Sequence, residues 1–155
     1  MTTSVPPAPL TLTQEIRELV GTALTSGYPI LLAAVDPENH PLLSFRGSTV
    51  VYSDDQLALW IRNVAGGTIE AIKHNPHVAL MYRSATIPLL QFQGRARIAA
   101  EETERNRVFE AAPEQERNAD PGQKGIAIII DLDKVSGVLG FTNEGPVWVH
   151  MARQI

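Results

Sequence analysis

The sequence predicts a mainly β protein, a β-barrel of six to seven antiparallel strands with peripheral helices. Three observations carry this. From Pro29 onward, apolar residues alternate with polar ones or form short runs, as in Leu90, Phe92, Gly94, Ala96 and Ile98, which is the period of strands. Polar turn clusters punctuate these runs: Asp36-Pro37-Glu38-Asn39-His40-Pro41, Ser53-Asp54-Asp55 and Asn143-Glu144-Gly145-Pro146. The chain has 155 residues, 44% hydrophobic and 19% charged, so one packed core is within reach. Sequential strands with alternating faces close into barrels, which removes exposed sheet edges.

Taken in order, residues 1–10 are rich in Thr and Pro and read as a flexible arm before a single domain at 11–155. Thr11 followed by Gln14 resembles a capping box, and Ile16, Leu19, Val20, Ala23 and Leu24 continue at helical spacing until Gly27, predicting a helix near 12–26. Strands follow at Pro29–Val35, Leu42–Tyr52 and Leu57–Arg62. Thr68–His74 reads as a short helix ended by Asn75-Pro76. His77–Arg83 and Leu89–Ala99 are the next strands, and Glu101–Ala112 is a helix. The charged stretch Pro113–Lys124 reads as a surface loop. Gly125–Leu132 is a buried strand, Val135–Phe141 continues it after an Asp-Lys turn, and Val147–Met151 closes the chain.

Composition narrows the function. A net charge of −4 argues against nucleic-acid binding, which calls for a basic surface. No cysteine is present, so disulfides, thiol catalysis and Cys-type metal sites are excluded. The N-terminus has no basic start and no apolar stretch, and no run is long enough to cross a bilayer, so a cytoplasmic protein that binds no membrane is expected.

The segment Arg46–Thr68 concentrates chemistry. Arg46, Ser48 and Tyr52 are evenly spaced on one expected strand and so share a face; Trp60 and Arg62 share one on the next. Gly66-Gly67-Thr68 opens a helix, where backbone N–H groups and the positive dipole end favour an anion. Arg46 and Arg62 add guanidinium forks suited to phosphate. Read alone, the same segment is compatible with a plain Gly-Gly turn flanked by solvated arginines. It is not a nucleotide P-loop, because the lysine and glycine spacing are missing.

The order of motifs resembles the pyridoxamine 5′-phosphate oxidase-like family of FMN-binding split barrels. The similarity runs from Pro29 to Ala99. It includes Ser44-Phe45-Arg46-Gly47-Ser48, Leu59-Trp60-Ile61-Arg62, Gly66-Gly67-Thr68, then Asn75-Pro76-His77-Val78-Ala79-Leu80 and Gln91-Phe92-Gln93-Gly94-Arg95-Ala96. The resemblance implies a homodimer with FMN at the interface. It implies that Arg46 and Ser48 contact phosphate or ribityl groups, and that Trp60 and Ile61 line the isoalloxazine. It further implies that Thr68 and the loop amides of Gly66 and Gly67 assist the phosphate, and that Gln91 or Gln93 reaches the ring or ribityl chain. Where the family carries a cation before the helix, this chain has Gly66-Gly67-Thr68, leaving Arg62 or backbone amides to compensate. The ending Trp148-Val149-His150-Met151-Ala152-Arg153-Gln154-Ile155 only faintly echoes the substrate motif of true pyridoxamine phosphate oxidases.

The implied function is therefore an FMN-dependent oxidoreductase acting on a small organic substrate rather than vitamin B6. The alternatives are a deazaflavin- or haem-binding barrel, or a flavin carrier or sensor without turnover. Trp148 either covers the partner's flavin or is a barrel-plug or dimer-packing tryptophan. No catalytic acid or base stands out. His74 and His77 are separated by the helix-breaking Asn75-Pro76, so no metal site is expected.

Overall fold

The computed structural model describes residues 5–154. Helix α1 spans Gln14–Gly21 and is capped by Thr13, whose hydroxyl accepts from the Ile16 amide at 3.3 Å. The cap is therefore Thr13 rather than Thr11. The helix stops short of the expected 26, since Thr22 donates back to the Glu18 carbonyl and a run of turns leads to Gly27 at φ +83°. Ile16 and Val20 form its buried stripe.

The expected flexible arm is tied down at Ala8–Pro9. Residues 1–4 lie outside the described residues, but Ala8–Pro9 forms a short strand, β1, paired in parallel with the last strand. Strands β2 (Ile30–Val35) and β3 (Pro41–Arg46) form a hairpin. Its turn is held by the Asp36 carboxylate, which accepts from the amides of Glu38 at 3.0 Å and His40 at 2.8 Å. The single strand expected over Leu42–Tyr52 is instead broken at Gly47-Ser48-Thr49, where the Thr49 amide donates to the Arg46 carbonyl. β4 (Val50–Ser53) starts beyond the turn and pairs with β5 (Gln56–Ile61). Arg46 and Tyr52 thus lie on different strands.

Helix α2 (Gly67–His74), β6 (His77–Arg83), β7 (Leu89–Ile98) and α3 (Glu102–Ala111) follow near the expected bounds. The expected loop contains a short helix, α4 (Glu114–Asn118). β8 is one strand of 17 residues, Ile126–Thr142, and β9 is Gly145–Ala152. The Asp-Lys turn expected inside β8 is a β-bulge. Gln93 pairs with Lys134 and Gly94 with Leu132, so Asp133 is the extra residue.

The hydrogen-bonded order is β1-β9-β8-β7-β6-β2-β3, with β5 joined to β8 and β4 to β5. β8 forks the sheet. β7 runs along one side, while the other side pairs with β5 at Ile126–Asp131 and with β9 at Lys134–Thr142. Among the described residues this is an open, split barrel of nine strands, antiparallel except for β1 with β9. The main core holds Ile16, Val20, Leu32, Leu59, Leu80, Phe92 and Ile130. A second core packs Ala58, Trp60 and Ile129 against Val108 and Phe109 of α3. β5 is therefore buried on both faces.

Candidate functional site

The site forms where the C-terminal end of β3 meets the start of α2. Arg46 lies opposite Ile30 in the β2–β3 register, on the face turned toward the helix. Its Nη2 donates to Thr68 Oγ1 at 2.6 Å. Thr68 is buried, and by accepting from Arg46 it keeps its own hydroxyl proton to donate. The Nε of Arg46 is buried and has no hydrogen-bond partner. Burial first, then the charge of Arg62, push the Arg46 guanidinium below its ordinary pKa, while Glu116 acts in the opposite direction. Arg46 stays protonated at any working pH.

Gly66 is the N-cap of α2 and has no side chain to bond the amides of the first turn. Gly67 faces the Leu42 side chain of β3, with room for a Cβ at an ordinary contact distance of 3.5 Å. Arg62 follows β5 directly, and its Nε lies 3.5 Å from Glu116 Oε2 on α4. Arg46, Arg62, Gly66, Gly67 and Thr68 are thus brought together. Their donors are guanidinium N–H groups, a hydroxyl and helix N-terminal amides, a set that complements an anion. A buried guanidinium N–H without an acceptor fits a phosphate there.

Other expected members are placed elsewhere or already engaged. Ser48 is buried, and its hydroxyl donates to the Trp60 carbonyl at 2.8 Å and accepts from the Trp60 amide at 2.9 Å. It acts as a strand partner across the break between β3 and β4 and has no hydrogen left for a ligand. The Trp60 ring is buried against Phe109 at 4.9 Å between centroids, lies under the Arg105 guanidinium and donates from Nε1 to Asp120 at 2.8 Å. It therefore presents no face to a ring ligand. Ile61 is buried in the main core. β5 is covered on both faces: α3 buries Trp60 on one, and the main core buries Ile61 on the other.

Gln91 and Gln93 lie on the outer face of the sheet. Cross-strand registers align Phe45, Leu31, Met81, Gln91, Ser136 and His150 in one row across six strands. Trp148 is 72% exposed at the far end of the sheet order from β3. It lines an apolar groove of about 670 Å³ with Val5, Pro6, Ala8 and Val149. Arg46, paired with the buried Ile30, lies on the face opposite the row of Gln91 and His150.

Two residues beside the cluster have no counterpart in the sequence expectations. Glu116, in the expected loop, stands beside the arginine pair. Asp120 pins the same segment through Trp60 Nε1 and the amides of Gly125 at 2.9 Å and Lys124 at 3.1 Å. No local pattern marks either one, because both act through contacts distant in sequence.

Comparison with known proteins places the chain in a family. The family model for pyridoxamine 5′-phosphate oxidase matches residues 12–132. The chain belongs to the pyridoxamine 5′-phosphate oxidase family. No curated protein sequence matches it. Among solved structures, HupZ of Group A Streptococcus superimposes with a TM-score of 0.61 at 19% identity, covering 79% of this chain and 90% of that one. A Clostridium acetobutylicum protein related to general stress protein 26, described as of the pyridoxinephosphate oxidase family, gives 0.62 at 12% identity, covering 88% and 92%. An FMN-binding protein from Syntrophomonas wolfei gives 0.56 at 14% identity, covering 79% and 81%. These neighbours share the split-barrel fold of this family member. Among its described residues, no helix is long and apolar enough to cross a membrane.

Proposed function

We propose that this chain is an FMN-dependent oxidoreductase acting on a small organic substrate other than vitamin B6. The observation that carries the reading is the buried, unpartnered Nε of Arg46, set beside Thr68, Arg62 and an uncapped helix start. These groups would hold the phosphate of FMN, and the FMN-binding neighbour from Syntrophomonas wolfei points the same way. When bound, FMN supplies the two-electron chemistry. The chain's task is then to anchor the phosphate and orient the ring. The donor set at Arg46, guanidinium N–H groups with a hydroxyl and helix N-terminal amides, is the set a phosphate-bearing ligand calls for.

The reading against vitamin B6 is supported by the contacts of Arg153. Arg153 donates from Nε and Nη2 to the Leu132 carbonyl at 3.0 and 2.8 Å, and stands near Asp55 and Asp133. It is committed to holding the chain end against β8, so it is not free to take a substrate phosphate.

We further propose a homodimer with the flavin at the interface. A second copy is the route by which Gln91, Gln93 and Trp148 would reach a ligand anchored at Arg46, since in one chain they lie on the face of the sheet opposite Arg46.

The test is a titration of the purified protein with FMN. Each charge-assisted hydrogen bond contributes about 1.5–3 kcal/mol. Loss of one such bond weakens binding about ten- to hundredfold. Arg46→Ala should raise the Kd for FMN by that factor. A protein that takes up no FMN, or a variant of unchanged affinity, overturns the reading. Oxidation of NAD(P)H by the FMN-loaded protein separates an oxidoreductase from a carrier.

A further inference from the structure

The arginine pair already has an anion of its own. Glu116 sits on α4, within a stretch whose composition predicts an exposed loop, yet its side chain is only 16% exposed. Its Oε2 lies 3.5 Å from Arg62 Nε. Its other oxygen rests against the backbone of Gly47, where a Cβ would stand 2.7 Å from Oε1. Glycine at 47 thus leaves the slot that this carboxylate fills. The segment is also tethered near both ends. Arg117 donates to the Glu110 carbonyl at 2.8 Å, and Asp120 bonds Trp60, Lys124 and Gly125.

The contact is well placed yet incomplete. At 3.5 Å it is an ion pair without a short, forked hydrogen bond, and Arg46 Nε remains without an acceptor. A phosphate monoester offers more charge and three acceptor oxygens to the same two guanidiniums. A free carboxylate offers no more charge than Glu116, which is tethered and so acts at high effective concentration.

We propose that Glu116 is a tethered competitor for the Arg46–Arg62 pair, excluding monoanionic ligands and admitting those that carry a phosphate monoester. This rests on reading the cluster as a phosphate site. Binding displaces the carboxylate from Arg62, and the tethers at Glu110 and Asp120 limit how far α4 travels. Affinity for FMN is therefore lower than the donor set alone would give, and selectivity for phosphate over carboxylate is higher.

The experiment compares wild type, Glu116→Gln and Arg46→Ala in titrations with FMN and with riboflavin, and in thermal melts with and without millimolar inorganic phosphate. In Glu116→Gln the Kd for FMN should fall about tenfold. Riboflavin, which has no phosphate, should bind equally well before and after the substitution. The variant's melting temperature should rise with inorganic phosphate or acetate, while wild type responds to phosphate weakly and to acetate not at all. An unchanged or raised Kd for FMN in Glu116→Gln, alongside lost binding in Arg46→Ala, overturns the proposal and leaves the cofactor reading standing. If no form binds FMN, the cofactor reading fails. The melts then decide on Glu116 alone: equal anion responses in wild type and variant refute it. Should Glu116→Gln fail to fold, Glu116→Ala serves instead, since it removes the same carboxylate and should reproduce the same gains.

Discussion

The hydroxyl of Ser48 shows how one atom can stand in for a strand. The chain breaks between β3 and β4, and the backbone N–H and carbonyl of Trp60 face that gap. Both groups are buried, and each would cost about 1–3 kcal/mol if left without a partner. Ser48 serves both at once. Ser48→Ala should therefore lower unfolding stability by about 1–3 kcal/mol for each group left unpaired, read by urea denaturation, and leave FMN affinity within about twofold of wild type. A large loss of FMN affinity in a folded Ser48→Ala protein would restore a ligand role to this residue. Sequence pattern placed Ser48 on the same face as Arg46 because the turn at Gly47 is too short to register as a strand break. Arg46, by contrast, was legible. Its partners are the helix start at Gly66–Thr68, a local glycine signal, and a second arginine a few residues before it.

At the scale of elements, the segment from α3 to β8 is held by Asp120. Burial acts to raise the pKa of this carboxyl. The Trp60 indole N–H, the Lys124 and Gly125 amides and the nearby Arg105 outweigh it and hold the group below its ordinary value. A carboxyl whose pKa is lower folded than unfolded adds stability above its unfolded pKa, and that stability is lost as pH falls through the folded value. Asp120→Asn should be less stable than wild type at neutral pH, and the gap should close on acidification below about pH 4, measured by urea denaturation across pH. A gap that stays constant with pH would refute the charge-based latch. This latch was illegible because Pro113–Lys124 has the composition of a solvated loop, and only the fold brings Trp60 above it. The burial of Trp60 had a signal. Gln56–Ile61 is an unbroken apolar run, Leu-Ala-Leu-Trp-Ile after its first residue, and a strand without alternation is covered on both faces. β8 taught the reverse lesson. Asp133-Lys134 carries turn chemistry, yet the strand continues because β7 and β9 pair on either side and absorb Asp133 as a bulge.

At the scale of the whole molecule, the open sheet leaves a face that a single chain does not cover. Leu43 and Phe45 of β3 are each 69% exposed, and registers place them beside Ala33 and Leu31 of β2, then Ala79 and Met81 of β6. Apolar residues here alternate with the buried ones of the core, as strand geometry requires, so the pattern that predicts the barrel also predicts a second apolar surface. Large contiguous apolar patches mark interaction sites. A second copy of the same chain is the proposed occupant, since a two-fold axis would bury the same patch on both partners. The row continues through Gln91 to Ser136 and His150, so the proposed interface would carry polar groups toward the ligand as well as apolar ones toward its centre. Phe45→Glu places a charge in the middle of this patch without touching the core, because the side chain points away from α2 and Arg46. Analytical ultracentrifugation should show wild type as a dimer and Phe45→Glu as a folded monomer. The monomer should also bind FMN at least tenfold more weakly, because the ligand would then lose every contact from the second copy. A monomeric wild type, or a Phe45→Glu protein that keeps both its dimer and its FMN affinity, would overturn the proposed assembly.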